Sequence, residues 1–187
     1  MGDRVSLVFA LTLMIVCLTQ AVDPYSLEQA CAQNRPVAVT SPSFNNRGAI
    51  PRRHTCDGRN ISPALNWSGI PRGTKSIAVI CEDPDAPGGT FIHWVLFNIP
   101  GNAAGLAEGV PKSGTLSNGA SQGKTSFQRV GYGGPCPPRG RHRYYFNVYA
   151  LDRRLRLNSS ADVKKLLRAM EGHVLAAGQL MGTYARR

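Results

Sequence analysis

The sequence predicts a mainly β, antiparallel domain with its helices gathered at the C-terminus. Three observations point there. Twenty glycines and thirteen prolines among 187 residues suit short strands joined by tight turns better than a helical bundle. Three β-prone runs, at 76–81, 90–99 and 143–151, are bounded by turn-forming residues. Helical spacing is clear only near the end, where Val163, Leu166, Leu167 and Met170 fall at i, i+3, i+4 and i+7.

Taken in order, the chain opens on a segment that does not belong to the fold. Val5 to Leu18 is an almost continuous apolar run of fourteen residues. That is short of the ~20 residues a membrane-spanning helix needs and right for the core of a signal peptide. Thr19-Gln20-Ala21 offers small residues for cleavage, so residues 1–21 are expected to be a signal peptide and the protein to be periplasmic or extracellular. Residues 22–36 have no clear period and read as an N-terminal lead-in, leaving 37–187 as the domain.

Within the domain, PVAVTSPSF (36–44) is β-prone and Asn45-Asn46-Arg47-Gly48 signals a turn. Residues 51–75 carry three prolines and Asp57-Gly58, the marks of ordered loop. Ser76–Cys81 reads as a strand, ended by Asp83-Pro84-Asp85-Ala86-Pro87-Gly88-Gly89. In the next strand, Thr90–Ile99, strict alternation puts Phe91, His93, Val95, Phe97 and Ile99 on one face and Ile92, Trp94 and Leu96 on the other. Apolar residues on both faces predict a strand covered on both sides. Residues 100–126 read as a long surface loop, and Arg143–Leu151 as a third long strand. Ser160 is the expected cap of the helix over 163–170, and His173–Met181 reads as a second short helix after Gly172.

A hydrophobic content of 42% with 18% charged residues excludes a disordered chain or a coiled coil. Twenty-two basic against eleven acidic residues give a net charge of +11, which attracts phosphates, anionic headgroups and acidic proteins alike. Nucleic acid is not the expected partner: the basic residues are scattered, in pairs at most, with no aromatic-interleaved platform. Cys31, Cys56, Cys81 and Cys136 remain after the leader, and four cysteines in an oxidising compartment permit three pairings. None has C-x-x-C spacing, so no structural zinc is expected.

Three polar clusters sit where strands end, the usual place for a site. Asp83 and Asp85 are held by prolines that fix the backbone φ. His93 is polar among apolar neighbours. The third cluster is Gly131-Tyr132-Gly133-Gly134-Pro135-Cys136-Pro137-Pro138, leading into His142 and Tyr144, which point to one side of a strand. Each alone is ordinary turn, core or loop chemistry. Together they supply an anion pocket: glycines that let backbone N–H groups approach, two imidazoles and a phenol as donors, and a carboxylate to orient the imidazoles. An acid–base hydrolase is the rival, but no Gly-x-Ser-x-Gly nucleophile elbow is present. His93, His142 and an Asp could form a two-His-one-carboxylate metal set, the less favoured alternative.

The segments DPDAP (83–87), HWVLFN (93–98) and GYGGPCPPRGRHRYYFNVYAL (131–151) resemble the signature regions of the phosphatidylethanolamine-binding family, which includes the Raf kinase inhibitor proteins. IPRRHTCDGRNISPALNWSGIP (50–71) and EGHVLAAGQLMGTYAR (171–186) look like its bacterial and archaeal branch. The resemblance implies a β-sandwich-like fold of antiparallel sheets, no enzyme activity, no cofactor and no metal. It implies one pocket for phosphate or a phospholipid headgroup, lined here by Asp83, Asp85, His93, Gly133, Pro135, His142 and Tyr144. The alternative it leaves is a protease or kinase inhibitor with a protein target; contact with a membrane surface and a homodimer also stay open. Cys56 and Cys136 lie in turn-rich loops close to these motifs and are the expected disulfide, closing a loop of about 80 residues.

Overall fold

The computed structural model describes residues 36–186. The leader expected over 1–21, most of the lead-in and Cys31 lie outside the described residues. The element order is β1 (Ala38–Thr40), β2 (Leu65–Ser68), β3 (Ser76–Asp83), β4 (Phe91–Pro100), β5 (Gly105–Leu106), β6 (Ser121–Gln122), β7 (Arg141–Leu151), α1 (Val163–Met170) and β8 (Val174–Ala185). One turn of 3-10 helix at Arg52–His54 sits in the proline-rich loop.

The strands form two antiparallel sheets, a small one in the order β1-β2-β5 and a large one in the order β6-β4-β3-β7-β8. Between the sheets, Val39, Leu65 and Trp67 meet Ile77, Val79, Trp94, Leu96, Phe146 and Val148 in one core. On the outer face of the large sheet, Ile80, Ile92, Val95 and Phe97 pack under Val163, Leu166 and Met170 of α1. The large sheet is therefore covered on both sides, which is why β3 and β4 read as nearly unbroken apolar runs.

Strict alternation along β4 fails at two places. Cys81 pairs with Trp94 and Glu82 with Ile92, so His93 falls between them without a partner on β3. A second extra residue lies between the Val79–Leu96 and Ile77–Ile99 pairs. There Asn98 adopts φ 59°, and its side-chain amide exchanges hydrogen bonds of 2.7 and 2.9 Å with the Leu155 backbone. Each bulge reverses the facing of the residues beyond it. Trp94, Leu96 and Ile99 consequently enter the inter-sheet core, whereas Val95 and Phe97 join Ile92 beneath α1. Neither bulge is visible in the strand's own sequence.

The second C-terminal helix expected over 173–181 is absent, and β8 occupies that stretch. Ala176, Ala177, Leu180 and Met181 are good helix formers, which is why the segment misleads. The deciding signal is the pair Gly178 and Gly182 on one face of the strand. A Cβ on Gly178 would collide with the Val37 carbonyl oxygen, and one on Gly182 would lie 2.5–2.8 Å from Ile50 and Phe44. Those close approaches let the long β7–β8 ladder lie against the small sheet; tertiary contact overrides local preference. α1 is also capped differently from expectation, by Asp162, whose carboxylate accepts from Lys165 N at 2.9 Å, and not by Ser160. The 100–126 loop contains the two-residue strands β5 and β6.

Candidate functional site

The end of β3, the start of β4 and the start of β7 meet at one end of the large sheet, and the polar residues that stand out in the sequence sit there. Asp83 is the last residue of β3 and is buried. One carboxylate oxygen accepts from Asp85 N at 2.9 Å, closing the Asp-Pro-Asp turn, and the other accepts from His142 Nδ1 at 2.8 Å. Prolines thus hold the carboxylate in place, and the carboxylate holds the imidazole.

His93 owes its aim to the β4 bulge, the kind of irregularity that redirects a side chain beside a site. Its Nδ1 donates to the Gly133 carbonyl at 2.7 Å, and its own carbonyl accepts from Gly133 N at 2.9 Å. The ring lies edge-on to Tyr144, centroids 5.2 Å apart, with Phe91 and Phe127 at 5.1 and 5.4 Å. Tyr144 and His142 share one face of β7. His93 and His142 therefore lie on the same side of the sheet. Burial holds the His93 imidazole below its ordinary pKa, although the Gly133 carbonyl and nearby Asp83 oppose this, so the ring is neutral at pH 7.

Tyr144 is fully buried, and its hydroxyl has no formed hydrogen bond. Burial first, and then the neighbouring Asp83 carboxylate, push its phenol well above the ordinary range. It is a permanent donor. A buried hydroxyl without an acceptor is uncommon in native proteins and asks for a bound group.

Asp85 is placed differently. Its carboxylate takes Arg143 N, Nε and Nη2 at 2.9, 2.9 and 2.5 Å, on the side of β7 opposite His142. The guanidinium lowers its pKa, and no hydrogen bond joins it to either imidazole. Its geometry is that of a clamp on the strand, not of a ligand to the histidines.

The Gly-Pro loop is locked from behind. Gly134 N donates to Asn60 Oδ1 at 2.7 Å, Cys56 N to the Pro135 carbonyl at 3.0 Å, and Tyr132 Oη to the His54 carbonyl at 2.9 Å. Cys56 and Cys136 are joined, with Cα atoms 5.4 Å apart, inside the span a disulfide tolerates. Cys81 is buried and its thiol pKa is raised, so it is not a nucleophile. The loop's shape thus depends on a cross-link about 80 residues long in sequence, for which chain entropy gives on the order of 4–5 kcal/mol. Reduction is expected to loosen the loop before the domain unfolds; thiol titration alongside amide hydrogen exchange and circular dichroism checks that order.

Sequence reasoning missed Asn60 and Phe127, and placed Phe91 on the face of His93 without assigning it to the site. Asn60 sits at φ 55°, a conformation asparagine tolerates, and its role needs the 50–62 loop to fold back on Gly134. Phe127 lies in a stretch with no period, so only its contact with His93 identifies it. Among the described residues, no group of three or more His, Cys, Asp or Glu is arranged to hold a metal.

With this geometry in view, likeness to known proteins becomes informative. The profile of the family described as Phosphatidylethanolamine-binding protein matches residues 40–185. The chain belongs to that family. A UPF0098 protein of Methanothermobacter thermautotrophicus is 54% identical over 144 residues, covering 77% of this chain and 95% of the relative. Another from Aquifex aeolicus is 48% identical over 151 residues, covering 79% and 88%. Among solved structures, a phosphatidylethanolamine-binding protein homologue from Chlamydia trachomatis is 39% identical with a TM-score of 0.75, covering 81% of this chain and 99% of that one. YbcL of E. coli, described as a new member of the mammalian family, is 34% identical with a TM-score of 0.76 and the same coverage. These matches fix family and fold; the names of the UPF0098 relatives carry no function.

Proposed function

We propose that this phosphatidylethanolamine-binding family member is an exported binding protein whose pocket holds a phosphate or phospholipid-headgroup-like anion. The observation that carries the reading is the Tyr144 hydroxyl, buried without an acceptor beside His93 and the Asp83–His142 pair. With Asp83 nearby but not in hydrogen-bond geometry, a phosphoryl oxygen would give this donor a formed bond. The two imidazoles support the same ligand. Each gives its Nδ1–H to a protein oxygen, so Nε2 is the remaining polar atom of each ring. Binding, not catalysis, fits the set: neither imidazole is hydrogen-bonded to a serine, threonine or cysteine side chain among the described residues, and Cys136 is in a disulfide. Export rests on the apolar run at Val5–Leu18 and on the disulfide.

The reading fixes a pH dependence. A neutral imidazole can offer Nε2 only as an acceptor, so donation to an anion requires protonation. Burial keeps His93 neutral at pH 7. Binding must therefore take up a proton, and phosphate affinity should rise as pH falls through about 6.5. Without ligand the sign reverses for stability: a histidine with a depressed folded pKa stabilises fully above about 6.5 and loses that contribution as pH falls below it. Calorimetry with phosphate and phosphoethanolamine between about pH 8 and 5.5, corrected for phosphate's own ionisation, tests the first point. Affinity that does not change with pH would make the histidines structural. His142→Ala is expected to weaken binding by tenfold or more, since a charge-assisted hydrogen bond contributes roughly 1.5–3 kcal/mol.

A further inference from the structure

Beside the proposed pocket lies a cavity of about 690 Å³ that contains neither His93, His142 nor Tyr144. Its walls include Arg52 from the proline-rich loop, Arg141 from the first position of β7, and Thr183, Tyr184 and Arg186 from the end of β8. Asp57, next to the disulfide, is the one acidic residue in the lining.

That carboxylate is already engaged. Asp57 accepts from Tyr184 Oη at 2.8 Å and from Arg186 Nε at 3.2 Å, and its backbone carbonyl accepts from Arg52 Nε at 2.7 Å. Asp57 therefore fixes two guanidiniums through their Nε atoms, leaving their terminal nitrogens for other acceptors. No hydrogen bond or ion pair engages the Arg141 guanidinium among the described residues. Two guanidiniums held by Asp57, with Arg141 as a third cation in the lining, leave an excess of two positive charges at a concave site. Forked guanidiniums suit the oxygens of phosphate and carboxylate groups.

The position relative to the first pocket narrows the ligand class. Tyr184 is the register partner of His142 across β7 and β8, and Arg141 precedes His142 in the chain. Paired residues on antiparallel strands lie about 4.5–5.5 Å apart at Cα, so the two loci are built on adjoining strands. We propose that the Arg52–Arg141–Arg186 cavity is a second anion subsite, and that the natural ligand carries two anionic groups, one for each locus. The proposal rests on the reading of the first pocket for its bis-anion ligand, but the second locus is testable alone.

The experiment is an amide-resolved NMR titration of the protein with inorganic phosphate and with pyrophosphate, at constant ionic strength. Phosphate is expected to move two groups of resonances independently, one at His93, Gly133 and Tyr144 and one at Asp57 and Thr183–Arg186. Pyrophosphate should bind about tenfold or more tightly than phosphate, the gain of an added charge-assisted contact. The exposed Arg141→Gln and Arg52→Gln changes should abolish the second response and the pyrophosphate advantage while leaving the first group unchanged. His142→Ala should do the converse. Loss of the first response alone sinks the headgroup pocket and leaves this subsite standing. No response at Thr183–Arg186, or one that sodium chloride reproduces, overturns the subsite; so does an undiminished response in the double arginine variant.

Discussion

Asp83→Ala is expected to destabilise the domain by about 3–5 kcal/mol, the usual consequence of removing one partner of a buried ion-paired or hydrogen-bonded group. Both partners are nearly inaccessible: their side chains are 4% and 8% exposed. Removing the carboxylate leaves His142 Nδ1–H without an acceptor and opens the Asp-Pro-Asp turn, because Asp85 N loses its acceptor as well. Thermal unfolding should show a drop on the order of 10 °C, taking roughly 2–4 °C per kcal/mol for a chain of this size. Phosphate binding should fall with it, since His142 is no longer oriented. Asp83→Asn separates the two effects. It keeps one oxygen for Asp85 N but presents an amide where His142 needs an acceptor, so binding should suffer more than stability. A wild-type melting curve for Asp83→Ala would show that the buried pair is not what holds this end of the sheet.

Gly134→Ala is the second large effect. A Cβ there would collide with the His54 carbonyl oxygen and stand 2.8 Å from the Thr55 Cα. Both obstacles are backbone, so no rotamer change relieves them, and overpacking of this kind costs typically about 1–3 kcal/mol. The loop can escape only by moving away from 54–56. That strains the Gly134–Asn60 hydrogen bond and the cross-link at Cys56. Melting temperature and phosphate affinity should fall together, whereas Gly88→Ala, where nothing lies within 4 Å, should leave both at wild-type values. Equal behaviour of the two variants would show that the loop does not depend on this close approach.

The reasons for what is and is not legible in the sequence are physical. β3, β4 and β7 are readable because long apolar runs bounded by Gly, Pro and Asp have few alternatives. The facing of residues along β4 is not, because a bulge is a property of two strands and His93 is unpaired only relative to Cys81 and Glu82 of β3. β8 is hidden by helix-forming residues, and only the close approaches of Gly178 to Val37 and of Gly182 to Ile50 and Phe44 explain why a strand wins. β5 and β6, two residues each, are set by where their neighbours run and leave no pattern of their own. At the site, Asp83, His93, His142 and Tyr144 stand out as polar groups at strand ends. Asp85 stands out equally, yet Arg143, one residue from His142, claims it. Asn60 and Phe127 belong to the site only through contacts 74 and 34 positions away in sequence, which no local reading supplies.

The central claim is that His93, His142 and Tyr144 close on one anion. Its most direct test follows the imidazole and phenol side-chain resonances of the protein during a phosphate titration near pH 6. The expected result is that the His93, His142 and Tyr144 signals shift along one saturating curve, that proton uptake accompanies binding, and that Tyr144→Phe weakens it. Saturable phosphate binding that leaves these three side chains unmoved, or no saturable binding at all, would contradict it.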